Sequence, residues 1–305
     1  MDLGARPLPP FVDARWLAAN RDAVVLADAR ASMDGSEGEH TYLEGHLPDA
    51  VFVALDEVLA APPSRAGGRH PLPDPERFAA DLGGLGIGDH DPVVAYDQGP
   101  GVWASRLVWS LRAIGQPAAV LDGGLAGWDG PIERGPVTPA PRTRAVVPWP
   151  SERLIDTAAL DRRRDQPGVV VLDARDPSRY AGELEALDAR AGHIPGARNA
   201  PFAANLADGR LRPTGELRAH YERLGATRDR EVVAYCGSGV TACHDLLVLE
   251  TLGVTGRLYP GSWSAWSADL SRPIATGRDV PAETDTAGPG ASRGPGSSRP
   301  PQDGS

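Results

Sequence analysis

Cys236 heads the run Cys236-Gly237-Ser238-Gly239-Val240-Thr241-Ala242, set between an apolar stretch and a segment of helical character. A cysteine is a nucleophile as thiolate, not as thiol, and this loop is of a kind that holds anionic sulfur. Gly237 and Gly239 let the backbone curl until successive N–H groups point inward, making a nest for negative charge. A helix starting just beyond adds the positive end of its dipole. Both effects favour thiolate, and they would hold a persulfide anion equally well because its charge lies in the same place. The competing reading is a small buried cysteine at a strand end, with no chemistry. Cys243, seven residues on, reads as a core residue rather than a resolving thiol. Two cysteines outside a CxxC spacing make no disulfide framework, and His244 beside Cys243 falls short of a metal site. No metal or organic cofactor is expected.

The elements that position this loop occur twice along the chain. Val24–Arg30 recurs as Val169–Arg175, each a buried strand running into Asp-Ala-Arg. Gly45-His46-Leu47-Pro48 recurs as Gly192-His193-Ile194-Pro195, and Pro92–Asp97 as Glu231–Cys236. Asp122–Trp128 matches Pro260–Trp266. The same order and nearly constant offset mark a duplication, in which Asp97 stands where the second half has Cys236. In that second half Val169–Leu172, Glu231–Tyr235 and Arg257–Tyr259 read as strands. Thr214–Leu224, with Thr214 as N-cap, and Val240–Leu252, ending at Gly253, read as helices. Apolar strands separated by helices predict an α/β fold, each half a parallel sheet with helices on both faces. The crevice at the carboxyl ends of such strands is the usual ligand site.

The expected divisions are a domain over 8–130 without the nucleophile, a proline-rich linker over 131–150 and a catalytic domain over 151–275. In the linker region, Ala145-Val146-Val147 is a short apolar stretch suited to packing on a domain. Residues 281–305 are almost wholly Gly, Pro, Ser, Ala, Thr and charged residues, too poor in apolar surface to order themselves. Hydrophobic residues are 41% of the 305, enough for two cores. The formal net charge is -10 and all 31 basic residues are arginine, so any cation that grips an anionic substrate is arginine, histidine aside. An acidic chain with no basic run argues against nucleic acid and anionic membrane. The absence of a basic-then-apolar leader in the first residues points to the cytoplasm.

Taken together, these motifs resemble the tandem-domain rhodanese family over roughly residues 8–275, and Cys-Gly-Ser-Gly-Val-Thr is similar to the loop of 3-mercaptopyruvate sulfurtransferases. Thiosulfate sulfurtransferases usually place basic residues directly after the cysteine, where this chain has Gly237 and Ser238. The resemblance implies sulfur transfer from 3-mercaptopyruvate, and less well from thiosulfate, through a Cys236 persulfide. Cyanide, a small thiol or a thioredoxin-like protein would be the acceptor. It implies that backbone N–H groups from Gly237, Gly239, Val240 and Thr241 hold the persulfide. Arg179, in Asp-Pro-Ser-Arg-Tyr-Ala-Gly, matches the family's substrate arginine. Asp188 occupies the count of a second family arginine, which leaves Arg190, two residues on, as the substitute. His46 would face the loop and relay protons with Ser238, its acidic partner being Asp34, Glu37 or Glu39; a turn-anchoring role is the other reading for His46 and for His193. Asp173 and Arg175 are expected to pair within the fold. Trp128, Trp263 and Trp266 should pack between helix and sheet, while Trp103, Arg106 and Trp109 serve the domain interface.

Two rival functions share the reactive cysteine. A cysteine phosphatase needs an arginine six residues after it to neutralise phosphoryl oxygens, and Ala242 stands there. A non-catalytic persulfide carrier needs no substrate arginine and is separated from the enzyme by a turnover assay on both sulfur donors.

Overall fold

The computed structural model describes residues 8–32 and 38–278. Asp34, Glu37 and the stretch 281–305 lie outside them. In the first half the elements are β1 (Phe11–Val12), α1 (Ala14–Asn20), β2 (Val25–Asp28), α2 (Gly38–Glu44), β3 (Val51–Phe52), α3 (Pro75–Gly84), β4 (Val93–Tyr96), α4 (Ala104–Ala113) and β5 (Ala118–Leu121). In the second they are α5 (Thr157–Arg163), β6 (Val169–Asp173), α6 (Pro177–Ala181), β7 (Arg198–Asn199), β8 (Leu206–Ala207), β9 (Arg210–Leu211), α7 (Thr214–Arg223), β10 (Glu231–Tyr235), α8 (Thr241–Thr251), β11 (Gly256–Leu258) and α9 (Ser262–Ala268).

Each half is a parallel sheet, ordered β1-β5-β4-β2-β3 and β11-β10-β6-β7. The duplication reaches the sheet edge. Where β1 pairs with β5, a single parallel bridge from Leu154 to Leu258 takes its place in the second half. The central strands are apolar throughout because both faces are covered: β4 and β5 are buried at every position. Their side chains feed cores on either side of each sheet, among them Trp263 and Trp266, both fully buried. Trp128 packs less completely, half-buried against the core with its Nε1 donating to the Pro131 carbonyl.

Repeat-specific contacts show why the duplicated motifs exist. In each half the arginine of Asp-Ala-Arg folds back on its own aspartate, Arg30 on Asp28 at 2.7 Å and Arg175 on Asp173 at 2.6 Å. The same guanidinium donates to the carbonyl of Gly45 or Gly192, fixing the Gly-His turn to the strand. The tyrosine hydroxyl before each loop, Tyr96 or Tyr235, then accepts the next turn amide, from Leu47 or Ile194.

Helix α7 starts at Thr214 with Pro213 in the cap position and no side-chain cap, so Thr214 is the first helical residue and not the cap. Helix α8 ends at Thr251, before Gly253 at φ +76°. Residues 134–150 form no helix or strand, but they are bound along the first half. Arg142 and Arg144 engage the carbonyls of Gly83, Ile87 and Gly88, and the Trp149 indole donates to Pro73 while its ring lies 5.1 Å from Phe78. Trp149 is thus the anchoring apolar residue of this strap. Val146 and Val147 remain 46% and 40% exposed and do not pack as their apolar character suggested. Among the described residues no helix is long and apolar enough to cross a membrane, and no group of three or more His, Cys, Asp and Glu is placed to hold a metal ion.

Candidate active site

Cys236 follows β10 directly, and its loop leads into α8. Three bonds from the segment opening α9 hold the loop. Ser262 Oγ accepts the Cys236 amide, while the amides of Trp263 and Ser264 donate to the carbonyls of Cys236 and Gly237. Ser262 adopts φ +51°, a conformation that glycine takes more easily, and in the first half the equivalent position is Gly124 at φ +55°. The second half therefore holds strain directly against its cysteine in order to place a hydroxyl there.

The amide of Gly239 donates to Cys236 Sγ at 3.1 Å. Gly239 sits at φ +79°, and a methyl group on it would meet the Pro260 carbonyl at 2.8 Å, so only glycine fits without strain. The first half shows the same cradle filled. There Asp97 turns its carboxylate into its own loop and accepts the amides of Gly99, Gly101, Trp103 and Ala104 at 2.8 to 3.4 Å. Cys243, fully buried, donates its thiol to the Gly239 carbonyl, and burial pushes that thiol up to about 12. It is a core residue.

The histidine beside the loop is not His46. His46 is fully buried, stacked on Tyr42 at 4.1 Å between ring centroids, with Nε2 bonded to the Gly135 carbonyl. His193 repeats this in the second half, stacked on Tyr180 at 3.8 Å. Both histidines anchor the turn that the Gly-His motif encodes, so the motif carries structure in both halves. The residue that meets Ser238 is His70, whose Nδ1 lies 2.8 Å from Ser238 Oγ. Its Nε2 stands 3.5 Å from the Asp56 carboxylate, on the π-helical turn Leu55–Leu59. Asp56 thus takes the place considered for Asp34, Glu37 or Glu39; of those, Glu39 is an exposed residue of α2. Burial lowers the His70 pKa below its ordinary value, with Arg106 and Arg69 adding to the effect and Asp56 opposing it. The imidazole is therefore neutral at neutral pH and able to accept a hydroxyl proton.

His70 arrives on an arm, residues 64–70, that crosses from the first half onto the second. Arg65 donates to the Ala268 carbonyl and the Arg69 amide to Ser264 Oγ, while Gly68 packs against the Gly261 carbonyl so closely that no side chain fits. Arg106, fully buried on α4, ties this arm to the loop by donating to the carbonyls of Gly239, Leu59 and His70. The interface role expected of Arg106 is thus also a site role.

Arg179 lies on α6, where its Nη2 meets Glu185 and Asp188, each at 2.8 Å. Its Nε is buried without a hydrogen-bond partner. A methyl group on Gly237 would lie 3.4 Å from Arg179 Nη1 and 2.8 Å from Arg69 Nη2, so both guanidinium groups border the loop. Arg69 also pairs through Nη1 with Asp188. Arg190, by contrast, is used up in structure, donating to the carbonyls of Trp266, Ser267, Asp269 and Arg272 around the end of α9. The structure thus brings together Cys236, Gly237, Ser238, Gly239 and Arg179, and leaves His46 and Arg190 elsewhere. Val240 and Thr241 open α8 beside the loop, yet among the described hydrogen bonds the one to Sγ comes from Gly239 alone. Cys236 itself is 2% exposed and packs into the hydrophobic core at the end of β10.

Comparison with known proteins bears on the fold and the family. The rhodanese-like domain model matches residues 13–130 and again 156–269. The chain is 44% identical over 279 residues to the "Probable 3-mercaptopyruvate sulfurtransferase" of Pseudomonas aeruginosa, covering 88% of this chain and 98% of that protein. It is 40% identical to the "Putative thiosulfate sulfurtransferase SseB" of Mycobacterium tuberculosis, over 84% of this chain and 92% of the relative. The crystal structure of the Escherichia coli 3-mercaptopyruvate enzyme superposes with a TM-score of 0.72 at 35% identity, covering 84% of this chain and 99% of that one. With two matched domains, two parallel sheets and one cysteine-bearing loop, the chain belongs to the rhodanese family in its tandem-domain form.

Proposed function

We propose that the protein is a sulfurtransferase in which Cys236 takes sulfur from 3-mercaptopyruvate, carries it as a persulfide and passes it to a thiol or to cyanide. The observation that carries this reading is the Gly239 amide directed at Cys236 Sγ, in a loop whose counterpart holds a carboxylate by four such amides. Arg179, whose Nη1 borders Gly237 and whose Nε is buried without a hydrogen-bond partner, supplies the cation for the donor's carboxylate. The Cys236 thiolate attacks the donor's sulfur, the carbon–sulfur bond breaks, and its electron pair forms the enolate of pyruvate. The proton from the donor thiol passes to Ser238 and the neutral His70, then returns to the enolate carbon. A persulfide anion remains on Cys236. Cytoplasmic thiols fit as acceptors.

Mass spectrometry tests the central step. Treatment with 3-mercaptopyruvate should add about 32 Da on the peptide holding Cys236, by the sulfur-addition chemistry of thiols, and cyanide should remove it. Cys236→Ser should abolish both the adduct and turnover; retained turnover would refute the reading.

A further inference from the structure

The loop after Cys236 contains no cation, which taken alone argues for a donor of low charge. The folded chain changes that conclusion. Arg69 reaches across from the first half and places Nη2 where a side chain on Gly237 would be, 2.8 Å from its Cβ position, with Arg179 Nη1 at 3.4 Å from the same point. Two guanidinium groups from opposite halves therefore converge on one residue next to the reactive sulfur. Two carboxylates hold them: Asp188 bonds both arginines and Glu185 bonds Arg179, and both carboxylate side chains are buried, 2% and 4% exposed.

We propose that Arg69 is a donor-specificity residue that, with Arg179, grips the sulfonate end of thiosulfate, so that this chain takes sulfur from a dianionic donor as well as from an α-keto acid thiol. The inference rests on the reading of Cys236 as the sulfur carrier. A single carboxylate is satisfied by one planar guanidinium. A sulfonate has three oxygens and a thiosulfate two charges, and it makes full use of two forks. Asp188 is the internal stand-in for that anion: it keeps Arg69 extended toward the loop and yields the guanidinium when the donor enters. Gly237 is part of the same device, because any side chain there would occupy the space between the two arginines. Arg190, bound to four carbonyls, has no such freedom. In the reaction the Cys236 thiolate forms a bond to the outer sulfur of thiosulfate as the donor's own S–S bond breaks. Sulfite leaves with the electron pair and the persulfide anion stays on Cys236. Charge balances, and no proton or outside oxidant is needed.

The test compares kcat/KM for thiosulfate and for 3-mercaptopyruvate, with cyanide as acceptor, in the full chain and in Arg69→Gln and Arg69→Lys. The arm keeps its backbone and Arg65 contacts to the second half, the Arg69 amide on Ser264 and Arg65 on the Ala268 carbonyl, so it stays seated, and thermal midpoints within a few degrees of the parent verify this. The ratio of thiosulfate to 3-mercaptopyruvate should fall about tenfold or more in Arg69→Gln, the size of one lost charge-assisted hydrogen bond, and recover in part in Arg69→Lys. An unchanged ratio, or a proportional loss with both donors, overturns the proposal. So does a parent protein that gains sulfur on Cys236 from 3-mercaptopyruvate but not from thiosulfate, an outcome that leaves the carrier reading standing. No sulfur gain from either donor would instead remove that reading, and this one with it.

Discussion

His70 acts, on this geometry, as a neutral base held between Ser238 and Asp56. Burial sets its pKa below the ordinary histidine value near 6.5, so protonation disables it only in acid. The kcat of turnover with 3-mercaptopyruvate should therefore fall on an acid limb lying below pH ~6.5. His70→Gln should lower kcat by roughly a hundredfold, within the usual range for a proton-transfer group, and erase that limb. His46→Gln should leave the limb in place and cost roughly 1–2 kcal/mol of stability through its lost buried bond to Gly135. A pH–rate series with both variants separates them. The reason His46 misleads in the sequence is physical. A Gly-His turn after a buried strand looks the same whether it serves chemistry or packing, and its repeat at His193, with the same aromatic stacking, shows packing to be the use. Cys236, Ser238 and Arg179 were legible because their neighbours in sequence are also their neighbours in space. Asp56, Arg69 and His70 were not, since nothing local announces that a segment will cross to another domain.

Among the elements, the cysteine loop depends most on backbone form. Gly239→Ala would force a side chain into a left-handed conformation against the Pro260 carbonyl and next to Arg106. Such strain costs roughly 1–3 kcal/mol and turns the amide away from Sγ. Persulfide formation should drop by at least tenfold, readable as the extent of the mass adduct at fixed time, while Gly84→Ala, in the open on α3, should leave it unchanged. Strands β6, β10 and β11 and helices α7 and α8 were readable to within a residue or so, because their apolar runs are bounded by glycine, proline or charge. Fine detail at their ends was not. Proline at 213 displaced the threonine cap, and the strap was held by arginines and Trp149 rather than by the valines.

For the whole molecule, the duplication is reciprocal as well as repeated. The arm at 64–70 crosses onto Gly261 and Ser264, and the hairpin of β8 and β9 crosses the other way, where Arg210 and Leu211 contact Asp122 and Gly127. Helices α4 and α8, each following its own loop, pack together between them, joined by Arg112 and Glu250 at 2.5 Å. Halves clasped in this way should unfold together, giving one calorimetric transition whose van't Hoff and measured enthalpies agree; two resolved transitions would contradict it. Within α8, burial raises the Asp245 carboxyl to about 8, with Asn205 as its hydrogen-bond donor. The folded chain keeps that proton over a range where the unfolded chain, titrating near 4, has lost it. Stability should thus decline as pH rises from about 4 to about 8 and level off above, at up to ~1.4 kcal/mol per unit for this group. Asp245→Asn should flatten the decline and raise the melting temperature at pH 8 relative to the parent, measured by thermal melts across pH.

Asp97 gives the molecule a reference state of its own. Tethered by its backbone, the carboxylate occupies the cradle permanently, so the first half is a standing likeness of what the second becomes only when sulfur-loaded. Superposing the two loops in a charged protein should show the cysteine loop drawn toward the geometry its twin already has, an internal ruler that needs no bound analogue.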